Sequence, residues 1–129
     1  MTKHDIALYE NLAERYVAAE RPHDAERAYT SIVEALPGES ESHALLAEIR
    51  EKQHRWPEAI IQWEQVSRIR ELEPTGLIRL AAAQIHEGQW DAARATLRKI
   101  DTTSWPPRFN DALRQVREMQ RQIETKRKS

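Results

Sequence analysis

The chain has 129 residues, 20 of them Lys or Arg and 21 Asp or Glu, for a formal net charge of −1. That balance gives no global pull toward nucleic acid or an anionic membrane surface, and with no cysteine there is no disulfide, no thiol nucleophile and no cysteine-held metal. A hydrophobic fraction of 40% that recurs with a helical period argues for one folded domain rather than a disordered chain.

In chain order, the spacing predicts seven helices. The first runs from about Lys3 to Ala19, with Leu8, Tyr9, Leu12, Ala13 and Tyr16 on one broad apolar face. Pro22 ends it and opens the second, since proline is tolerated in a first helical turn but not inside one. The second helix carries Ala25, Ala28, Tyr29, Ile32, Val33 and Leu36 and stops at Pro37-Gly38. A third begins near Ser40, read as its N-cap, and buries Leu45, Leu46 and Ile49. Trp56-Pro57 opens the fourth, with Ala59, Ile60, Trp63, Val66 and Ile69. Pro74 opens the fifth, which presents Leu77, Leu80, Ala81 and Ile85, and the sixth runs from Trp90 to about Ile100. Ser104 through Pro107 break the chain before a last helix with Phe109, Leu113, Val116, Met119 and Ile123. All six prolines fall at these junctions, and no segment alternates as a strand would.

The helices repeat. Ala25, Ala59 and Ala93 are 34 residues apart, as are Ala13, Ala47 and Ala81, and Leu12, Leu46 and Leu80. Tyr29, Trp63 and Leu97 share a fourth register, and Ile32, Val66 and Ile100 close each unit. This pattern of two small residues and a large apolar residue four after the second resembles the tetratricopeptide repeat. The copies lie at 6–39, 40–73 and 74–107, followed by a capping helix over about 108–125 and a basic tail to residue 129. The late aromatic of the first helix appears only as Tyr16, replaced by Arg50 and Gln84. The hairpin glycine appears only as Gly88, replaced by Glu20 and His54. The resemblance implies an all-α, right-handed superhelical solenoid of antiparallel helix pairs. The last helix closes it with an outer face of Arg114, Arg117, Glu118 and Arg121.

No catalytic constellation emerges. The five histidines, His4, His23, His43, His54 and His86, form no zinc-helix spacing, and neither a phosphate loop nor a nucleophile elbow is present. His43 reads as a satisfied packing histidine and His86 as a solvated helix-end residue. An enzyme is not expected, nor any cofactor or metal. No apolar run approaches about 18 residues and Met1–Asp5 has no signal-peptide pattern, so no membrane insertion is expected and a cytoplasmic setting is favoured. Arg121, Lys126, Arg127 and Lys128 read as a solvated basic chain end.

The resemblance also implies a concave surface lined by the first helix of each pair. The positions facing it are Ala7, Glu10, Glu14 and Val17, then Glu41, Ala44, Glu48 and Glu51, then Thr75, Ile78, Ala82 and Ile85. The groove grades from acidic to apolar, with Lys52 and Arg79 diluting the acid in part. Relatives in this family grip a C-terminal carboxylate with cations and amides on these faces. Here those positions hold Glu10, Glu14, Leu45 and Thr75, with only Arg79 agreeing, so an acidic tail is disfavoured. Candidate partner-binding residues are Glu10, Glu14, Val17, Glu41, Ala44, Glu48, Glu51, Ile78, Ala82 and Ile85. The expected partner is a protein or peptide segment with basic residues at one end and apolar anchors at the other. Two alternatives stay open at this point: a merely solvated acidic face, and a structural or self-association module, one piece of a longer chain. In the latter, Trp56, Trp90 or Trp105 would serve as edges.

Overall fold

The computed structural model describes residues 2–128, with side chains described through residue 126. It contains seven α-helices: α1 (Lys3–Ala18), α2 (Pro22–Ala35), α3 (Ser40–Lys52), α4 (Trp56–Ile69), α5 (Thr75–His86), α6 (Trp90–Asp101) and α7 (Asn110–Lys128). A single 3₁₀ turn, Pro107–Phe109, precedes α7, and no strand occurs among the described residues. Of the basic chain end, Arg121 and Lys126 are exposed; the Arg127 and Lys128 side chains lie outside the described residues.

Local chemistry explains the boundaries. Thr2 and Asp5 form a reciprocal capping box at α1. The Thr2 hydroxyl accepts from the Asp5 amide at 3.2 Å, and the Asp5 carboxylate accepts from the Thr2 amide at 3.0 Å. Prolines occupy the first turns of α2 and α4. The three hairpin turns are the same turn. Glu20, His54 and Gly88 have φ of 58°, 59° and 72°, in the left-handed region. In each, the next amide reaches back across the helix end: Arg21 to Tyr16, Arg55 to Arg50 and Gln89 to Gln84, all at 2.8 Å. This is the Schellman closure. Replacing glycine by Glu20 and His54 leaves the geometry intact and adds a steric cost at those two residues.

Each helix packs on its neighbours in the chain, and α7 lies against both α5 and α6. Ala13, Ala25, Ala47, Ala59, Ala81 and Ala93 are all fully buried, as the closest approach within each hairpin requires. The polar residues replacing the late aromatic are satisfied and tie helices together. Arg50 donates to the Glu58 carbonyl at 3.3 Å and to Glu26 at 3.4 Å, while Gln84 accepts from the Thr96 hydroxyl at 2.7 Å. Between hairpins, α5 comes so close to α4 that a Cβ on Gly76 would sit 2.7 Å from the Ser67 backbone nitrogen. The matching residue in α3 is Ser42, also buried.

Some expectations need correction. Leu8 and Leu12 are 57% and 41% exposed, and Tyr9 is exposed too. The reason is topological: α1 packs only on α2, so just the flank with Ile6, Ala13 and Tyr16 is covered. Ser40 is the first helical residue of α3 and not its N-cap; Glu39 holds the cap position with no side-chain bond. The Ser40 hydroxyl instead accepts from the Arg70 guanidinium at the end of α4. Leu45 is only half-buried. His86 is the exposed last residue of α5, as expected, and its ring also stacks on Trp56, with centroids 3.8 Å apart. Trp90 and Trp105 pack partly buried against the α5–α7 core, and the Trp105 indole donates to the Ile100 carbonyl at 2.8 Å. The tryptophans are thus engaged within the chain.

Candidate partner-binding groove

The first helices of the three hairpins, α1, α3 and α5, carry the candidate residues, and the large residue of each second helix stands behind them. Two adjoining sites result, one floored by Tyr29 and the other by Trp63.

At the first site, Glu10 and Glu14 come from α1 and Glu41 and Glu48 from α3. Burial pushes the Glu10 carboxyl above its ordinary range, and the charges of Glu41, Glu14 and Glu39 push it further. Burial likewise pushes the Tyr29 phenol up, with Glu14, Glu10, Glu41 and Glu48 adding to it. Four carboxylates from two helices therefore act on one hydroxyl. Tyr29 itself is only 3% exposed. Its hydroxyl makes no hydrogen bond among the described residues, and none of Glu10, Glu14, Glu39 or Glu41 joins an ion pair there.

At the second site the acid is answered. Arg79 of α5 lies over the Trp63 ring, 4.5 Å from its centroid. It pairs with Glu51 at 3.1 Å and Glu48 at 3.7 Å. Glu51 also accepts from the Trp63 indole at 2.7 Å. Glu51 is thereby committed to its own fold. A cavity of about 500 Å³ opens beside this cluster between α3 and α5, lined in part by Glu41, Ala44, Glu48, Thr75 and Arg79.

The expected apolar end of the groove is absent. Ile78 is 5% exposed and Ile85 half-buried, both packed into the cluster that holds Val116, Met119 and Ile123 of α7. The last helix covers the face that α5 would otherwise leave open, so Ile78 is a core residue and Ile85 lies at the core's edge, lining a cleft against α7. Ala82 stays exposed. Val17 is exposed and lines a separate cleft with Ile49 and Lys52 at the far end of α1. The structure therefore brings Glu10, Glu14, Glu41, Ala44 and Glu48 together, joins Glu51 to Glu48 only through Arg79, and sets Val17, Ile78 and Ile85 apart. Arg79, expected to dilute the acid in part, does so by pairing with Glu48 and Glu51 over Trp63, one unit after Leu45 in register.

His43 is buried between the Gln62 side-chain amide, 2.6 Å from Nδ1, and the Pro37 carbonyl oxygen, 2.8 Å from Nε2. It ties α3 to α4 and to the preceding turn, as a packing histidine should. No cluster of His, Asp and Glu suited to a metal ion occurs among the described residues, and no described helix is long and apolar enough to cross a membrane.

No known family profile matches the sequence, and no curated protein matches it. Solved structures do. The Yersinia enterocolitica type III secretion chaperone SycD, in complex with a peptide of the translocator YopD, superposes with a TM-score of 0.79 at 16% identity, covering 98% of this chain and 97% of that one. The TPR2B domain of yeast Sti1, in a complex with pHsp70, gives a TM-score of 0.75 at 18% identity, covering 96% and 99%. The first TPR of Spaghetti (RPAP3), bound to the HSP90 peptide SRMEEVD, gives 0.73 at 12% identity, also covering 96% and 99%. The fold is accordingly the all-α tetratricopeptide-repeat solenoid, and at these identities the likeness is one of fold.

Proposed function

We propose that this protein is a non-catalytic interaction module, an adaptor that binds a partner segment rich in basic residues along the surface of α1 and α3. We take its 129 residues as three repeats over 6–39, 40–73 and 74–107 with a capping helix. The observation that carries the reading is the convergence of Glu10, Glu14, Glu41 and Glu48 without enough cation from the chain itself. Crowded like charges raise the energy of the unbound surface, and a basic segment would relieve it. Such complementarity sets specificity and encounter rate more than affinity. Three solved neighbours are complexes with a peptide or chaperone partner. The peptide SRMEEVD held by one of them is acidic at its end. Glu10 and Glu14 would repel such an end, which favours the opposite charge for the partner here. Ala44, Ala82 and the α3–α5 cavity offer the apolar and neutral remainder of the track.

The test is site-specific photo-crosslinking. A photoreactive residue at Ala44, in the groove, is compared with one at Ile61, exposed on α4. Crosslinks to a partner from position 44 and none from position 61 support the reading; the reverse pattern overturns it. A second reading, self-association, has its own support in the exposed Leu8, Tyr9 and Leu12 of α1. It predicts that a photoreactive residue at Leu8 crosslinks to a second copy of the chain.

A further inference from the structure

Within the chain, one site already shows how this fold holds a guanidinium. Arg79 rests on Trp63 and is clamped by Glu48 and Glu51. One repeat earlier, Tyr29 stands where Trp63 does and Glu14 where Glu48 does, while Leu45 replaces Arg79 and Val17 replaces Glu51, with Glu10 and Glu41 supplying the further carboxylates. Leu45 packs against the cluster that contains Tyr29, so an apolar side chain takes the place of the cation. Glu10 and Glu14 of α1 and Glu41 and Glu48 of α3 all act on the Tyr29 phenol, and on a side chain only 3% exposed its hydroxyl has no hydrogen-bond partner among the described residues.

We propose that the Tyr29 site is a socket for a single arginine side chain of the partner. Glu10, Glu14 and Glu41 pair with its guanidinium, and the Tyr29 hydroxyl oxygen accepts one of its N–H groups. This rests on the groove reading above and names the residue that the groove selects. Arginine is favoured over lysine because a planar fork of five donors can serve several acceptors at once, where an ammonium acts as a compact point charge.

The test uses N-acetyl-arginine amide as the probe and its uncharged isostere N-acetyl-citrulline amide as control, titrated into ¹⁵N-labelled protein. Saturable shifts at Tyr29, Glu10, Glu14 and Glu41 with the arginine probe, absent with citrulline, are expected. In the double variant Glu10→Gln, Glu41→Gln the affinity should fall about tenfold or more, since two charge-assisted hydrogen bonds to the guanidinium are weakened. Leu45→Arg should abolish probe binding by placing the chain's own guanidinium in the socket. If that variant does not fold, the double glutamine variant decides. Shifts scattered over the surface, equal shifts with citrulline, or unchanged affinity in the double variant overturn the socket. Retained crosslinking at position 44 beside a failed arginine titration would remove the socket alone. Specific arginine binding without any crosslink at position 44 would remove the longer groove and leave the socket.

Discussion

The Tyr29 and Trp63 sites have the same backbone and opposite electrostatics. Both present a large aromatic from the second helix of a hairpin, Tyr29 or Trp63, and a glutamate from the first, Glu14 or Glu48, each pair 34 residues apart. At Trp63 the chain supplies Arg79 and closes the site on itself. At Tyr29 it supplies Leu45 and leaves the carboxylates crowded. A solenoid repeats its geometry more faithfully than its chemistry, and the exchange of Arg79 for Leu45 and of Glu51 for Val17 is where a function can be built. The α4–α5 junction beneath the second site is also tighter, because Gly76 lets two backbones meet where Ser42 keeps them a side chain apart.

What the halves share should fail alike. Ala25→Leu and Ala59→Leu each insert bulk at a fully buried crossing, and each should cost about 3 kcal/mol by overpacking. Ala18→Leu, on an exposed position, should change stability by under about 0.5 kcal/mol; urea denaturation of the three variants makes the comparison. Where the halves differ, so should the variants. Gly76→Ala should lose about 2 kcal/mol as its Cβ meets the Ser67 backbone. Ser42→Ala at the matched position, which already carries a Cβ, should lose little. Equal losses would mean that the two junctions are equally close.

Arg79→Ala should cost about 1 kcal/mol, through the lost cation–π contact and partly exposed ion pairs. It should also make the second site resemble the first, gaining affinity for N-acetyl-arginine amide that the wild type lacks there. The hairpin turns test the other side of the comparison, since only the third has glycine. Glu20→Gly and His54→Gly should each stabilise by roughly 0.5–1 kcal/mol, relieving left-handed strain at some cost in chain entropy. Gly88→Ala should destabilise. Thermal melts of all three reveal whether the turns are as alike as their φ values.

The smallest effect concerns pH. The Glu10 carboxyl is raised in the folded protein by burial and by Glu41, Glu14 and Glu39. A raised carboxyl means that the folded state takes up a proton before the unfolded state does. The Glu10 contribution to stability should therefore rise slightly as pH falls from neutrality into the upper carboxylate range, against the lowered Asp5 and Asp24 carboxyls, whose contribution falls at lower pH. Glu10→Gln should raise the melting temperature a little at neutral pH and flatten that rise; a Glu10→Gln protein with an unchanged pH profile would assign the effect elsewhere.

The 34-residue period and the prolines made the helices legible in advance, because both act locally: a proline is excluded from a helix interior and so marks a boundary, and a residue at a close crossing must be small. Ser40 misled because a serine before a helical run looks like a cap, and only the approach of Arg70 from α4 makes its hydroxyl an acceptor elsewhere. Leu8 and Leu12 misled because an apolar face signals burial without saying whether a neighbour exists to bury it. Ile78 and Ile85 erred the other way, since assigning them to a groove ignored where α7 would settle. For the candidate site, the acidic positions were readable from register alone. That Glu51 is spent on Trp63 and Arg79 required three helices to be placed in space.

The most direct test of a groove for basic partners is a pull-down at low and high salt. Wild type is run beside the triple variant Glu10→Lys, Glu14→Lys, Glu48→Lys. The groove account predicts capture by the wild type that weakens as salt is raised and disappears in the triple variant, while circular dichroism shows the variant still helical. Capture that survives both salt and charge reversal would contradict it and move the binding surface away from α1 and α3.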